Sequence, residues 1–137
     1  MSILLDAFAL IALMRDEPAA DQVEVLLRAG EVAITAVNLA EALDVMQRIQ
    51  GISRERLQEV TVPLVAERIK LIPTDERIAR DAADIRARRY HRTRSPLSLA
   101  DCVLLASAGP SDSVATADAP LVRVAEAENI KIITLPR

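Results

Sequence analysis

Residues 1–14, MSILLDAFALIALM, hold one charge, Asp6, among apolar neighbours until Arg15 follows. Ile3-Leu4-Leu5 reads as a short buried strand and the stretch after Asp6 as an apolar helix, so the carboxylate marks a turn between two core elements. An ionised group so near a dry interior is costly unless something compensates it. Backbone donors at a helix start could do so, and so could a cation. One residue leaves both open.

The same alternation continues along the chain. Residues 19–30 (AADQVEVLLRAG) form an amphipathic helix stopped by Gly30, and 31–35 (EVAIT) a strand. Residues 38–51 and 53–69 return to helical spacing, the second helix with a kink expected at Pro63. A brief strand at 70–74 precedes a long charged helix at 75–91, a loop at 92–97 (RTRSPL) and a helix at 98–109. That last helix has no charge after Asp101 and is expected to be buried all round. A strand and turn at 111–118, a helix at 119–129 and a strand at 130–135 complete the pattern. Strands alternating with helices imply a three-layer α/β/α domain around a central, mainly parallel sheet. With no linker, repeat or low-complexity segment, residues 1–137 read as one domain.

Bulk properties narrow the class. A chain of 137 residues is long enough to bury a real core. At 51% hydrophobic and 27% charged residues it is globular, not disordered. Phe8 and Tyr90 are the only aromatics, so the core is aliphatic. No signal-like segment precedes a cleavage site, and the longest apolar run is interrupted and too short to span a bilayer. A cytoplasmic protein with no membrane association is therefore expected. The single cysteine, Cys102, reads as a packed, inert thiol. A net charge of −3 gives no global positive field. Locally, residues 86–94 (RARRYHRTR) carry five arginines and no acid, enough for phosphate contact. His91, the only histidine, belongs to that segment and reads as loop or phosphate contact, not as a metal ligand.

Four acids stand apart from the solvated ones such as Glu24, Glu59, Asp84 and Glu126. Asp6 follows the first strand, Glu41 lies in the helix after EVAIT, Asp101 opens the apolar helix and Asp118 follows SVAT. In parallel α/β sheets this is the ligand-binding edge. Each also has a plain structural reading: Asn38-x-x-Glu41 and Ser98-x-x-Asp101 have capping-box spacing, and Asp6 and Asp118 could be simple N-caps. If the fold gathers the four, their repulsion raises their pKa values or calls for a counter-ion. Oxygen donors without His or Cys suit Mg²⁺ or Mn²⁺ and not zinc.

LLDAFALIAL, ITAVNLAEAL, LSLADCVLLASA and VATADAPLVRVA, in this order, resemble the PIN-domain ribonucleases, and most closely the VapC-type toxins of bacterial toxin–antitoxin pairs. The likeness runs nearly end to end. It implies a metal-dependent endoribonuclease with an acidic cluster of Asp6, Glu41, Asp101 and Asp118. In that reading Asp6, Asp101 and Asp118 hold Mg²⁺ or Mn²⁺, while Glu41 orients or deprotonates the attacking water. Thr116 matches the hydroxyl of the TAD motif, Asn38 the polar residue before the glutamate, and Ser98 a helix cap supporting the pocket. The resemblance also implies an RNA substrate, a cognate VapB-type antitoxin and a homodimer. Phe8 and Pro120 depart from the family pattern, and the loss of a further acid at Pro120 favours one firmly held ion over two.

An acidic pocket repels an anionic substrate, so Arg86, Arg89, Arg92 and Arg94, which lead into Ser98 and Asp101, are the candidate RNA-binding residues. The alternatives are a Mg²⁺-dependent phosphotransfer domain of receiver or phosphatase type and a catalytically degenerate RNA-binding PIN domain. The first needs a lysine near the last strand, and Lys131 begins that strand at the end opposite the acids.

Overall fold

The short apolar runs become five strands: β1 (Ser2–Leu5), β2 (Glu31–Thr35), β3 (Ile69–Ile72), β4 (Ser113–Thr116) and β5 (Lys131–Thr134). The computed structural model describes all residues, 1–137. Every strand pairing is parallel, in the spatial order β3-β2-β1-β4-β5. The helices are α1 (Ala7–Met14), α2 (Ala20–Ala29), α3 (Ala36–Asp44), α4 (Arg54–Glu67), α5 (Glu76–Arg89), α6 (Leu99–Ser107) and α7 (Ala119–Ala127).

Side chains of a strand alternate between faces, and a parallel sheet must cover both. Leu5, Val32, Ile34, Ile69 and Ala115 face one layer, packing with Leu10 of α1, Val23 of α2 and Leu57 of α4. Leu4, Ala33 and Val114 face the other, against Ile78 and Ile85 of α5, Leu104 of α6 and Leu121 of α7. The result is the expected three-layer α/β/α fold, with a sheet that is parallel throughout.

Several local readings are corrected. α3 starts at Ala36, two residues before the expected start, because Thr35 at the end of β2 is itself the N-cap. Its Oγ1 accepts from the Asn38 N–H at 3.0 Å. Asn38 therefore lies inside the first turn and does not cap the helix, which removes the Asn38-x-x-Glu41 capping box. α3 runs on into a wider π-type turn, Val45–Ile49, that keeps Met46 in the core, and the chain leaves through Gly51 at φ 69°. β3 begins at Ile69, not Lys70, since Ile69 pairs with Val32 and is buried. α4, by contrast, runs through Pro63 as one helix in keeping with the helical spacing of 53–69, and Pro63 stands on its exposed face. α6 is not buried all round: Leu99 is 59% exposed, while Cys102, Leu104 and Leu105 are covered.

From β1 the chain builds outward to β2 and β3 on one side, then returns to add β4 and β5 on the other. The connections therefore diverge between β1 and β4. A crevice opens at such a divergence beyond the carboxyl ends of the strands, where the following loops part.

Candidate functional site

Asp6 leaves β1 at that crevice and caps α1. It is 6% exposed. Its Oδ1 accepts from the Ala9 N–H at 2.8 Å and its Oδ2 from the Thr116 hydroxyl at 2.5 Å. Thr116, the last residue of β4, also accepts the Asp118 N–H at 3.1 Å. One buried hydroxyl thus ties together the two acids that flank the crevice. Asp118 caps α7 through the Leu121 N–H, at 3.3 Å. Asp101 sits in the first turn of α6 in a complete capping box: the Ser98 N–H donates to its Oδ2 at 3.0 Å, and its own N–H donates to the Ser98 Oγ at 3.1 Å. Glu41 lies in α3, half-buried. Asp6, Asp101, Asp118 and Ser98 therefore fulfil their plain capping readings, and those readings coexist with a shared electrostatic environment.

That environment appears in the protonation equilibria. Burial pushes the Asp6 carboxyl up to about 6; hydrogen bonds from Thr116 and Ala9 oppose this, and the charges of Asp101 and Asp118 add to it. Burial also raises Asp101, offset by its bonds to Ser98 and reinforced by the charge of Asp118. Glu41 is raised by burial and then by Asp101. The charges thus act across separate elements: Asp118 on Asp6 and Asp101, and Asp101 on Asp6 and Glu41. The Cys102 thiol beside them is pushed up to about 11, chiefly by burial, and so stays protonated and inert at neutral pH.

As the side chains stand, no three His, Cys, Asp or Glu residues lie close enough together to enclose one metal ion. The donor set nonetheless suits a hard dication, because Mg²⁺ keeps several waters and uses only one or two carboxylates directly. Each carboxylate oxygen has more than one lone pair, so Asp6 retains acceptor capacity beyond its two internal bonds. Asn38 adds a second polar group: its Oδ1 accepts from Thr35 Oγ1 at 2.6 Å, while its buried Nδ2 has no partner.

The arginine-rich segment divides. Arg86 donates from Nε to the Leu97 carbonyl at 3.0 Å and lies 4.5 Å over the Tyr90 ring. Arg89 pairs with Glu128 at 2.7 Å, as does Arg88. Arg92 and Arg94 are exposed and meet no carboxylate. Two further arginines escaped the sequence reading. Arg137 reaches Asp118 Oδ1 at 3.8 Å and donates to the Ala117 carbonyl, and Arg123 on α7 donates to the Arg94 carbonyl at 2.7 Å. Arg137 belongs to no motif, and Arg123, though inside VATADAPLVRVA, stands in no charge run, so only the folded chain reveals these contacts.

The sequence profile of the family described as "PIN domain" matches residues 3–135. No curated protein matches the chain. Among solved structures, DNA-bound VapBC from Salmonella typhimurium aligns with a TM-score of 0.75 at 20% identity, covering 98% of each chain. VapBC2 from Rickettsia felis, bound to a DNA fragment from its promoter, aligns at 0.70 and 12% identity, covering 99% of this chain and 100% of that one. FitAcB from Neisseria gonorrhoeae aligns at 0.66 and 29% identity, covering 96% of each.

Proposed function

The chain belongs to the PIN-domain family, and from that premise we propose that it is a Mg²⁺- or Mn²⁺-dependent endoribonuclease, the toxin of a toxin–antitoxin pair. The observation that carries the proposal is the set of acids, remote in sequence, beyond the ends of β1 and β4: burial and then the charges of Asp101 and Asp118 raise the Asp6 carboxyl, burial and the charge of Asp118 raise Asp101, and burial and the charge of Asp101 raise Glu41. Such an arrangement is unfavourable for the fold alone, and a bound dication would relieve it.

In this reading Asp6, Asp101 and Asp118 hold the ion directly or through water. When bound, it would acidify a water molecule and offset charge building on the phosphoryl oxygens. The chain supplies the rest. Thr116 and the Ala9 N–H fix both oxygens of Asp6, and the capping box fixes Asp101, so these acceptors are oriented before substrate arrives. Glu41, made more basic by burial and by Asp101, accepts the proton of the attacking water. Asn38 steadies this side of the pocket through Thr35. Arg92 and Arg94, with no carboxylate partner, hold flanking phosphates, whereas Arg86 and Arg89 chiefly brace the segment that carries them.

The solved relatives named VapBC are toxin–antitoxin assemblies, which supports a VapB-type antitoxin as the partner here. A homodimer, a cytoplasmic location and action of residues 1–137 as one nuclease domain complete the proposal. No helix is long and apolar enough to cross a membrane. The phosphotransfer alternative remains without its lysine, since Lys131 opens β5 at the far end of the sheet from the carboxylates.

Incubation of purified protein with single-stranded RNA tests the reading. Cleavage should require Mg²⁺ or Mn²⁺, stop in EDTA and vanish in Asp101→Ala, and the same substitution should relieve growth arrest on induced expression. Cleavage that persists in EDTA or in the variant would refute the assignment.

A further inference from the structure

The end of α5, the turn that follows it and the middle of α7 enclose a cleft of about 340 Å³ whose lining includes Arg89, Tyr90, His91, Arg94, Ser95 and Arg123. Arg88 lines it as well, so four arginines border the space. The one acid paired with any of them is Glu128, which takes both Arg88 and Arg89 at 2.7 Å. Arg94 and Arg123 have no carboxylate within 4.0 Å. The cleft therefore holds an excess of positive charge in a protein whose net charge is −3.

The turn is built, not loose. His91 and Ser95 exchange backbone hydrogen bonds at 3.0 and 3.2 Å. His91 Nδ1 accepts the N–H groups of Thr93 and Arg94 at 3.2 and 3.1 Å, which leaves the ring proton of the neutral form on Nε2. The Ser95 hydroxyl donates to the Arg89 carbonyl at 2.6 Å, and Arg123 fastens the turn to α7 through the Arg94 carbonyl. The Arg94 guanidinium is thus presented by an ordered backbone while its own side chain holds nothing in the protein. Binding there need not order the backbone, so the Arg94 side chain alone loses freedom.

Tyr90 supplies the second element. The only tyrosine of the chain is 46% exposed, with Arg86 over its ring and its remaining surface lining this cleft and the adjacent one at Leu99. An exposed aromatic beside unpaired guanidinium groups is the combination that binds unpaired nucleotides, by stacking and by phosphate contact. The location agrees. The turn leads through Leu97 into Ser98 and Asp101, and Arg123 lies five residues along α7 from Asp118, about 7.5 Å of helix rise.

We propose that this cleft is a subsite for an unpaired nucleotide of single-stranded RNA, its base on Tyr90 and the phosphates on its two sides held one each by Arg94 and Arg123. The proposal rests on the nuclease reading and extends it to where the strand runs beyond the carboxylates. An acidic protein segment could satisfy the guanidinium groups, but it would leave the aromatic surface unused.

The test is anisotropy of a labelled, mixed-sequence single-stranded oligoribonucleotide against the whole protein in EDTA, across a KCl series. Arg94→Gln/Arg123→Gln should weaken binding about tenfold or more and reduce the salt slope by about 1.4, two phosphate contacts at roughly 0.7 each. Arg94→Gln alone should give half that change in slope, and it serves if loss of Arg123 loosens the turn. Tyr90→Ala should weaken single-strand binding about tenfold, Tyr90→Phe should not, and binding of the matching duplex should be indifferent to both. If wild type binds and cleaves RNA and none of these variants alters affinity or slope, the subsite is refuted and the nuclease reading stands. If the variants spare RNA but weaken capture of an acidic protein partner, the cleft is a protein interface and the proposal fails. If wild type neither binds nor cleaves single-stranded RNA, the nuclease reading itself falls.

Discussion

Replacing Asp6 with asparagine should make this protein more stable and inactive at once. In the folded chain burial and neighbouring acids raise the Asp6 carboxyl from 3.8 to about 6. The folded state therefore binds this proton more tightly than the unfolded state does. Stability consequently falls as pH rises from about 4 to about 6 and then levels off. At about 1.4 kcal/mol per pH unit, the ionised carboxylate costs about 3 kcal/mol at neutral pH. Asparagine keeps the shape. Its oxygen can accept from the Ala9 N–H, and its amide can donate to Thr116 Oγ1, which has lone pairs for both it and the Asp118 N–H. Urea denaturation in EDTA should show Asp6→Asn more stable by about 3 kcal/mol at pH 7.5 and near parity at pH 4, since protonation has by then removed the charge from wild type. Mg²⁺ at a hundredfold excess over its Kd should return about 2.7 kcal/mol to wild type and little to the variant. A variant less stable than wild type at pH 7.5 would refute the reasoning, because the buried carboxylate would then be stabilising and its neighbours would not be repelling it.

Asp101→Asn should keep the acceptor for the Ser98 N–H, so its melting should stay within about 1 kcal/mol of wild type while RNA cleavage falls at least about a hundredfold. Leu104→Ala removes a fully covered side chain from the layer of α5, α6 and α7, and urea titration should register a loss of about 2–5 kcal/mol. Glu128→Gln frees the guanidinium groups of Arg88 and Arg89 from their shared acid; oligoribonucleotide binding should tighten, with a steeper dependence on salt.

Local chemistry makes much of this protein legible residue by residue. Ile3-Leu4-Leu5 and EVAIT announce buried strands because a parallel strand covered on both faces has no polar side. Asp6, Ser98 and Asp118 announce helix starts because a short oxygen-bearing side chain satisfies free amides only there. The β2–α3 junction shows the limit of such reading: Thr35 belongs to both the strand and the cap, and no spacing rule separates the two roles. The arginines of residues 86–94 look alike in sequence, yet Glu128, 39 positions beyond Arg89, occupies two of them, Arg88 and Arg89, and the Leu97 carbonyl occupies Arg86.

The chain by itself determined the order of strands and helices, the aliphatic core and the acids at the strand ends, since each depends on neighbours within a turn or two. Only the tertiary structure decided that Thr116 would bond Asp6 across 110 residues, that the charges of Asp101 and Asp118 would reach the Asp6 carboxyl, and that Arg94 and Arg123 would share a cleft. These contacts depend on which strand lies beside which. That order is set by how both faces of the sheet are buried together, a property of the whole packed chain and of no segment within it.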